Sequence, residues 1–156
     1  MVVLESTEPV EQIRAEVLTL FHTEDEPVPR GRLGWVDWIL LSAVARLRAR
    51  GKFSGQRGAT ALFTPEHKLK AERVLVVGLG SCTDLSMTAL YRLSYQSAQA
   101  ILAMGCTSIA LELPYRAFPN ESPQRVRQAF LEGFAAELQR GRPTAEFTLL
   151  LLPPAD

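Results

Sequence analysis

Apolar residues along this chain fall into short unbroken runs, separated by segments in which they recur every three or four positions. The clearest run is Arg73 to Leu79 (RVLVVGL). Its Val-Leu-Val-Val core does not alternate with polar residues, which predicts a strand covered on both faces, as in the middle of a parallel sheet. The same pattern recurs at Ser108 to Leu113 (SIALEL), stopped by Pro114, and at Phe147 to Leu152 (FTLLLL) before Pro153. Ala15 to His22 (AEVLTLFH) reads as a further strand that runs into the polar, proline-bearing loop TEDEPVPRGR. Val2 to Glu5 predicts a short edge strand, and Gly58 to Thr64 (GATALFT) a short strand ended by Pro65.

Helical spacing appears in three places. Trp35, Trp38, Ile39, Leu41, Val44, Ala45 and Leu47 predict one helix from Trp35 to about Arg50, stopped by Gly51. Asp37 falls in its first turn and Arg46, Arg48 and Arg50 in its last, as the helix dipole favours. Its nearly continuous apolar stretch from Trp35 to Leu41 predicts deep packing. A second helix is expected from an N-cap at Ser86 to about Met104, with Gly105 as its stop. A third begins at Ser122, with Pro123 at the first helical position. Val126, Phe130, Phe134 and Leu138 then fall four apart as a core stripe, and Gly141 closes it.

Strands that alternate with helices of this length imply right-handed crossovers over a largely parallel sheet. The expected fold class is therefore α/β: a mixed, mainly parallel sheet flanked by helices. There is no internal repeat, low-complexity tract or interior linker, so residues 1–156 are expected to form a single domain.

Composition narrows the function classes. Apolar residues make up 47% and charged residues 22% of the chain, with 17 basic and 17 acidic side chains. A net charge of zero gives no global pull toward nucleic acid or an anionic membrane. No apolar run approaches the roughly 18 residues that span a bilayer. The acidic start, MVVLESTEPVEQ, lacks the layout of a signal peptide. Cys82 and Cys106 do not make a disulfide framework. Free thiols and a cytoplasmic location are the expectation.

Candidate chemistry is sparse. The turn Gly78-Leu79-Gly80-Ser81 follows the best strand, but Thr83 stands where a dinucleotide fingerprint has its third glycine, and no P-loop lysine follows. A tight strand-to-helix turn is the favoured reading. Gly78, Gly80 and Ser81, with the backbone N–H groups of a helix start near Ser86, are the candidate site for a ligand anion. His22 and His67 lie far apart, without metal-ligand spacing, and read as ordinary loop residues. Glu24, Asp25 and Glu26 read as a solvated acidic loop, and Glu112 as a residue at the sheet edge rather than in a cleft. Cys82 lies near a helix start, where a thiol pKa can fall, but no local pattern sets a base beside it. Arg46, Arg48, Arg50, Lys52 and Arg57 form a basic cluster, yet few aromatics interleave with it. Arginines at a helix C-terminus already have a dipole explanation, so nucleic-acid contact is not favoured.

Several segments, taken in order, resemble the N-terminal domain of the leucyl aminopeptidase family of cytosolic dizinc exopeptidases. Arg50 to Phe63 (RGKFSGQRGATALF) resembles that domain's basic, glycine-rich turn leading into a strand, with Thr60 where the family often has Glu. ERVLVVGLG follows at 72 to 80, then a helix with a small-residue face (SYQSAQAI, 94 to 101), a glycine, and the strand SIALELP. The opening AEVLTLFHTEDEPVPRG, with its acidic loop before the first long helix, matches as well. The resemblance covers nearly the whole chain and implies a macro-domain-like fold.

In that family the domain is non-catalytic, helps hexamer assembly and in some members contacts DNA. The two metals and the catalytic Lys and Arg belong to the C-terminal half, whose connecting segment would begin about where this chain ends. No metal, cofactor-binding or catalytic residue is therefore carried over, and no cofactor is expected. The resemblance implies a stand-alone interaction module that binds itself as a homo-oligomer or a protein partner, an aminopeptidase among the candidates. The alternative is a macro-domain-like module that binds ADP-ribose or a related nucleotide, at Gly78 to Ser81 and Pro114 to Phe118. Peptidase activity of its own is not favoured, because two metals need ligands the sequence does not supply.

Overall fold

Each unbroken apolar run becomes a strand. The computed structural model describes residues 1–154, and among them six strands form one sheet. These are β1 (Val2–Glu5), β2 (Val17–Thr23), β3 (Thr60–Phe63), β4 (Val74–Gly80), β5 (Ser108–Leu111) and β6 (Thr148–Leu151), in the order β1-β6-β5-β2-β4-β3. All pairings are parallel except β3 with β4. Every residue of β4 is buried, and β2 is buried at all but Phe21, as expected of strands in the middle of the sheet.

The helices lie in two layers. On one face α3 (Met87–Met104) and α4 (Pro123–Gly141) pack on Val17, Val77, Ile109 and Leu149. Both begin as their sequences predict. Ser86 Oγ accepts the Ala89 amide at 3.1 Å, and Ser122 Oγ accepts the Arg125 amide at 3.2 Å. Gly105 ends α3 in the left-handed conformation, with φ 74°. The stripe Val126, Phe130, Phe134 and Leu138 is buried, each side chain stabilising the fold by about 1.5–3 kcal/mol. The small-residue face of α3 has a physical use. Gly133 of α4 lies so close to Ser94 that a Cβ there would stand 2.3 Å from its hydroxyl oxygen.

On the opposite face the expected single helix from Trp35 to Arg50 is corrected. The structure holds two helices, α1 (Gly31–Ile39) and α2 (Ala43–Ala49). Leu41 and Ser42 between them both have left-handed backbones, with φ of 58° and 62°, a conformation that costs non-glycine residues about 1–2 kcal/mol. Asp37 explains the break. Its carbonyl oxygen accepts the Ser42 amide at 2.8 Å, and its buried carboxylate accepts the Val44 amide at 2.7 Å, so Asp37 caps α2. The predicted deep packing is corrected too. Leu33, Val36, Leu40 and Val44 face the sheet, while Trp35, Trp38 and Leu41 are 48%, 69% and 65% exposed.

The resulting three-layer architecture is a mixed, mainly parallel α/β sandwich. Among the described residues, no helix is long and apolar enough to cross a membrane.

Candidate functional site

In an open α/β sheet the loops after neighbouring strands diverge where the chain reverses direction across the sheet, and ligands enter there. In this chain that point lies between β2 and β5. From β2 the chain goes on to β4 on one side, and from β5 to β6 on the other. A crevice of about 80 Å³ opens at the carboxyl ends of these strands, with Phe21, Leu79, Leu113 and Tyr115 as apolar walls and Glu26, Arg30, Glu112 and Arg116 as charged lining. It is small beside the roughly 300–1,000 Å³ of an ordinary ligand pocket.

The loop after β2 straps this opening. Asp25 accepts the Cys82 amide at 2.7 Å and the Ser81 hydroxyl at 3.3 Å. Those bonds, the Cys82 amide foremost, hold its carboxyl below the ordinary aspartate value. Arg116 donates to both Glu26 carboxylate oxygens, and Arg48 donates to the carbonyls of Glu24 and Ser54. Arg32 pairs with Glu112, which lines the crevice. The acidic run lies on a loop whose Glu24 and Asp25 are exposed, as expected, while the carboxylates of Asp25 and Glu26 also fasten it to Cys82 and Arg116. Glu112 is corrected from the sheet edge to the crevice, because β5 is an interior strand.

The four candidate ligand-binding residues occupy different structural settings. A Cβ on Gly78 would stand 2.0 Å from the Gln56 carbonyl oxygen, and one on Gly80 would stand 2.9 Å from Arg57 Cβ. Gly78 therefore admits the backbone of the segment 55–57, and Gly80 admits the Arg57 side chain. Arg57 then fastens that segment by donating to the carbonyls of Leu79 and Ser81, at 2.9 and 3.1 Å. Ser81 sits at the strap, sharing its hydroxyl with Asp25 and Thr83. Ser86 caps α3 and is not part of the crevice lining. Pro114 to Ala117, by contrast, do line it.

Cys82 Sγ donates to Thr23 Oγ1 at 3.4 Å, and Cys106 is buried, which pushes its thiol pKa up. His22, at the end of the strand predicted from Ala15, is a buried residue of β2, 3% exposed, against Phe53 on the α1–α2 side of the sheet. Among the described residues, no group of three or more His, Cys, Asp or Glu could hold a metal ion. Arg48 and Arg57 of the basic cluster are engaged with backbone carbonyls.

A second surface was hidden by the one-helix reading. Trp35 and Trp38 stack on the outer face of α1, with centroids 5.2 Å apart and planes at 18°. The Trp35 indole donates to Glu11, and Leu41 continues the apolar face. Beside it lies a groove of about 280 Å³ lined by Leu40, Leu41, Ala43, Phe63 and Pro65, with Arg46, Glu66 and Lys68 also lining it. The sequence signal was present. Trp35, Trp38 and Leu41 fall three apart, a line of its own beside the inward line through Leu33, Val36 and Leu40.

Comparison with known proteins places this architecture. Residues 17–140 match the family described as the cytosol aminopeptidase family, N-terminal domain. A probable cytosol aminopeptidase of Geobacter sp. (strain M21) is 37% identical over 92 residues, 58% of this chain and 18% of that protein. Another, from Cyanothece sp., is 25% identical over 125 residues, 80% of this chain and 25% of that protein. The chain therefore spans about a fifth to a quarter of these relatives. Among solved structures, a tomato leucine aminopeptidase variant superposes with a TM-score of 0.71 at 20% identity, covering 98% of this chain and 32% of that one. The Trypanosoma brucei macrodomain in complex with ADP-ribose superposes at 0.74 and 15% identity, covering 96% and 63%. At such identities the likeness is one of fold.

Proposed function

The chain belongs to the cytosol aminopeptidase family through its N-terminal domain, and from that premise we propose that it acts as a non-catalytic protein-interaction module. The observation that carries this reading is the outer face of α1. Two stacked tryptophans and Leu41, each about half exposed or more, form a contiguous apolar patch. Large aromatics are enriched at the centres of protein interfaces, and a patch of this kind marks an interaction site. Partners of this reading are a second copy of the chain or another protein, an aminopeptidase among them.

The test is quantitative co-purification of the tagged chain from its own cells, alongside a variant carrying Trp35→Lys and Trp38→Lys. The expected result is a stoichiometric partner, the chain itself or another protein, retained by the native face and lost from the variant. Native and variant chains that both run as partnerless monomers would overturn it.

The alternative reading, a module for ADP-ribose or a related nucleotide, draws support from the macrodomain-like fold and from the crevice at the carboxyl ends of the strands. One feature weighs against it: the Cys82 amide, at the turn after β4, is taken by the carboxylate of Asp25.

A further inference from the structure

The sheet ends on β3, so one side of that strand has no neighbour. Gly78 donates its amide to the Ala59 carbonyl. Pairing in an antiparallel ladder alternates, so Ala61 and Phe63 turn their backbone groups to β4 while those of Thr60 and Leu62 point outward. Edge strands are commonly blunted by a charge, a proline or a covering loop. β3 (TALF) carries neither charge nor proline, and its Leu62 is 52% exposed. The opposite edge, β1, differs in that its charged residue, Glu5, is already held by Arg127.

The carboxyl end of β3 runs into the groove where Phe63 and Pro65 meet Leu40 and Ala43. Ala61 and Phe63 face the α1–α2 side, and the alternation of side chains turns Leu62 to the other face. A strand added to β3 therefore meets apolar surface on both faces. Charge decides which kind of strand fits. From Leu40 to Lys70, Glu66 is the sole acidic residue against seven basic ones, in a chain of zero net charge. Arg48 and Arg57 are spent on backbone carbonyls. Arg46 and Lys68 line the groove, and among the described residues neither takes part in an ion pair.

Resting on the interaction reading above, we propose that the β3 edge docks an extended, acidic segment of another protein as an additional strand. Its apolar side chains lie against Leu62 and in the groove, and its carboxylates stand beside Arg46 and Lys68. In an antiparallel register the outward groups of Thr60 and Leu62 offer about four backbone hydrogen bonds. In strand addition such bonds supply affinity, and the pockets for alternate side chains supply specificity. Here the basic pair adds a preference for acidic sequences, because like charges would meet any basic segment. A nucleic acid would use the same charge but leave Leu62 and the apolar groove unused, so a peptide fits the face better.

Selection of a displayed library of short random peptides on the purified chain tests the proposal. The peptides that enrich should combine Asp or Glu with alternating apolar residues, and their affinities can then be measured by fluorescence anisotropy. Leu62→Pro deletes one outward amide without touching a bond to β4, and should weaken these peptides about tenfold or more. Leu62→Ala trims the side chain but keeps the amide, and should weaken them less. Arg46→Glu combined with Lys68→Glu should also weaken them, and selection on that variant should favour basic peptides instead. Unchanged melting temperatures identify the variants that fold, and either Leu62→Pro or the charge reversal suffices for the comparison.

A library that yields no enriched peptide, or peptides without acidic residues, would sink the proposal. So would enriched peptides that bind the folded Leu62→Pro chain as well as the native one. A labelled single-stranded oligonucleotide is the second probe. Binding of it that needs Arg46 and Lys68 but ignores Leu62→Pro, with no peptide enriched, would assign the face to a polyanion and overturn strand addition. If peptides fail while the chain still retains a cellular partner through Trp35 and Trp38, the interaction reading stands and the β3 edge is not its docking site.

Discussion

The carboxylate of Asp25 accepts the amide hydrogen of Cys82 at 2.7 Å, joining residues 57 apart in sequence. It places a negative group of the chain's own at the turn after β4, where the nucleotide reading needs a phosphate. A carboxylate held below its ordinary value of 3.8 keeps this strap throughout the neutral range and loses it only as pH falls through that lowered value. Calorimetry should therefore give no heat when ADP-ribose is added to the native chain at neutral pH. Asp25→Ser removes the charge and frees the amide, and hydrogen exchange at Cys82 should quicken. Heat from the native chain would show that the strap yields to a nucleotide. Silence from both proteins would retire the nucleotide reading.

Gly78 and Gly105 separate two reasons for a glycine. Gly105 has a left-handed backbone, with φ 74°, and nothing within 4 Å of an added Cβ, so it is needed for its conformation alone. Gly78 is the reverse case, a strand residue whose added Cβ would stand 2.0 Å from the Gln56 carbonyl oxygen. Gly105→Ala should cost about 1–2 kcal/mol, the ordinary cost of a left-handed alanine. Gly78→Ala must push the backbone of residues 55–57 off β4, and should cost more, about 3 kcal/mol or above. Chemical denaturation of the two variants ranks them. The reverse order would mean that the 55–57 segment moves aside freely.

The same contrast explains how much of the molecule was legible in its sequence. Helix α4 could be read almost residue by residue, because Ser122, Pro123 and the Val126–Phe130–Phe134–Leu138 stripe all point to one answer. The covered strands β2, β4 and β5 were legible for a similar reason, since long unbroken apolar runs are typical of strands buried on both faces. The segment 31–50 was not. Its apolar residues fit one helix, and the break depends on Asp37 reaching forward to the Val44 amide, a contact that propensity does not encode.

The strap over the crevice was missed for a related reason. Each of its bonds joins loops distant in sequence, such as Glu26 with Arg116 and Asp25 with Cys82, so no local spacing announces them. Glu16 escaped notice in the same way. Its carboxylate accepts the amides of Thr107 and Ser108, at 3.0 and 2.9 Å, from 91 and 92 residues away.

His22 offers the clearest pH dependence. It is 3% exposed and packs against Phe53, and its Nδ1 has no hydrogen-bond partner. Burial lowers its pKa below the ordinary 6.5, and Arg48 adds to the effect, while Glu26 and Asp37 oppose it. Because the folded value lies below the unfolded one, the unfolded chain binds more protons on the acidic side. The stabilising contribution of the neutral ring is complete above 6.5 and drains away as pH falls from 6.5 toward the lowered value. Denaturation midpoints measured across that window should therefore decline in the native chain. His22→Gln, which cannot titrate there, should flatten the slope while lowering stability at neutral pH through poorer packing. Glu16 does not confuse the result. Its carboxyl is held below 4.5, chiefly by the Thr107 and Ser108 amides, so its contribution is lost only in stronger acid. An unchanged slope in the glutamine variant would show that His22 is not the group that titrates.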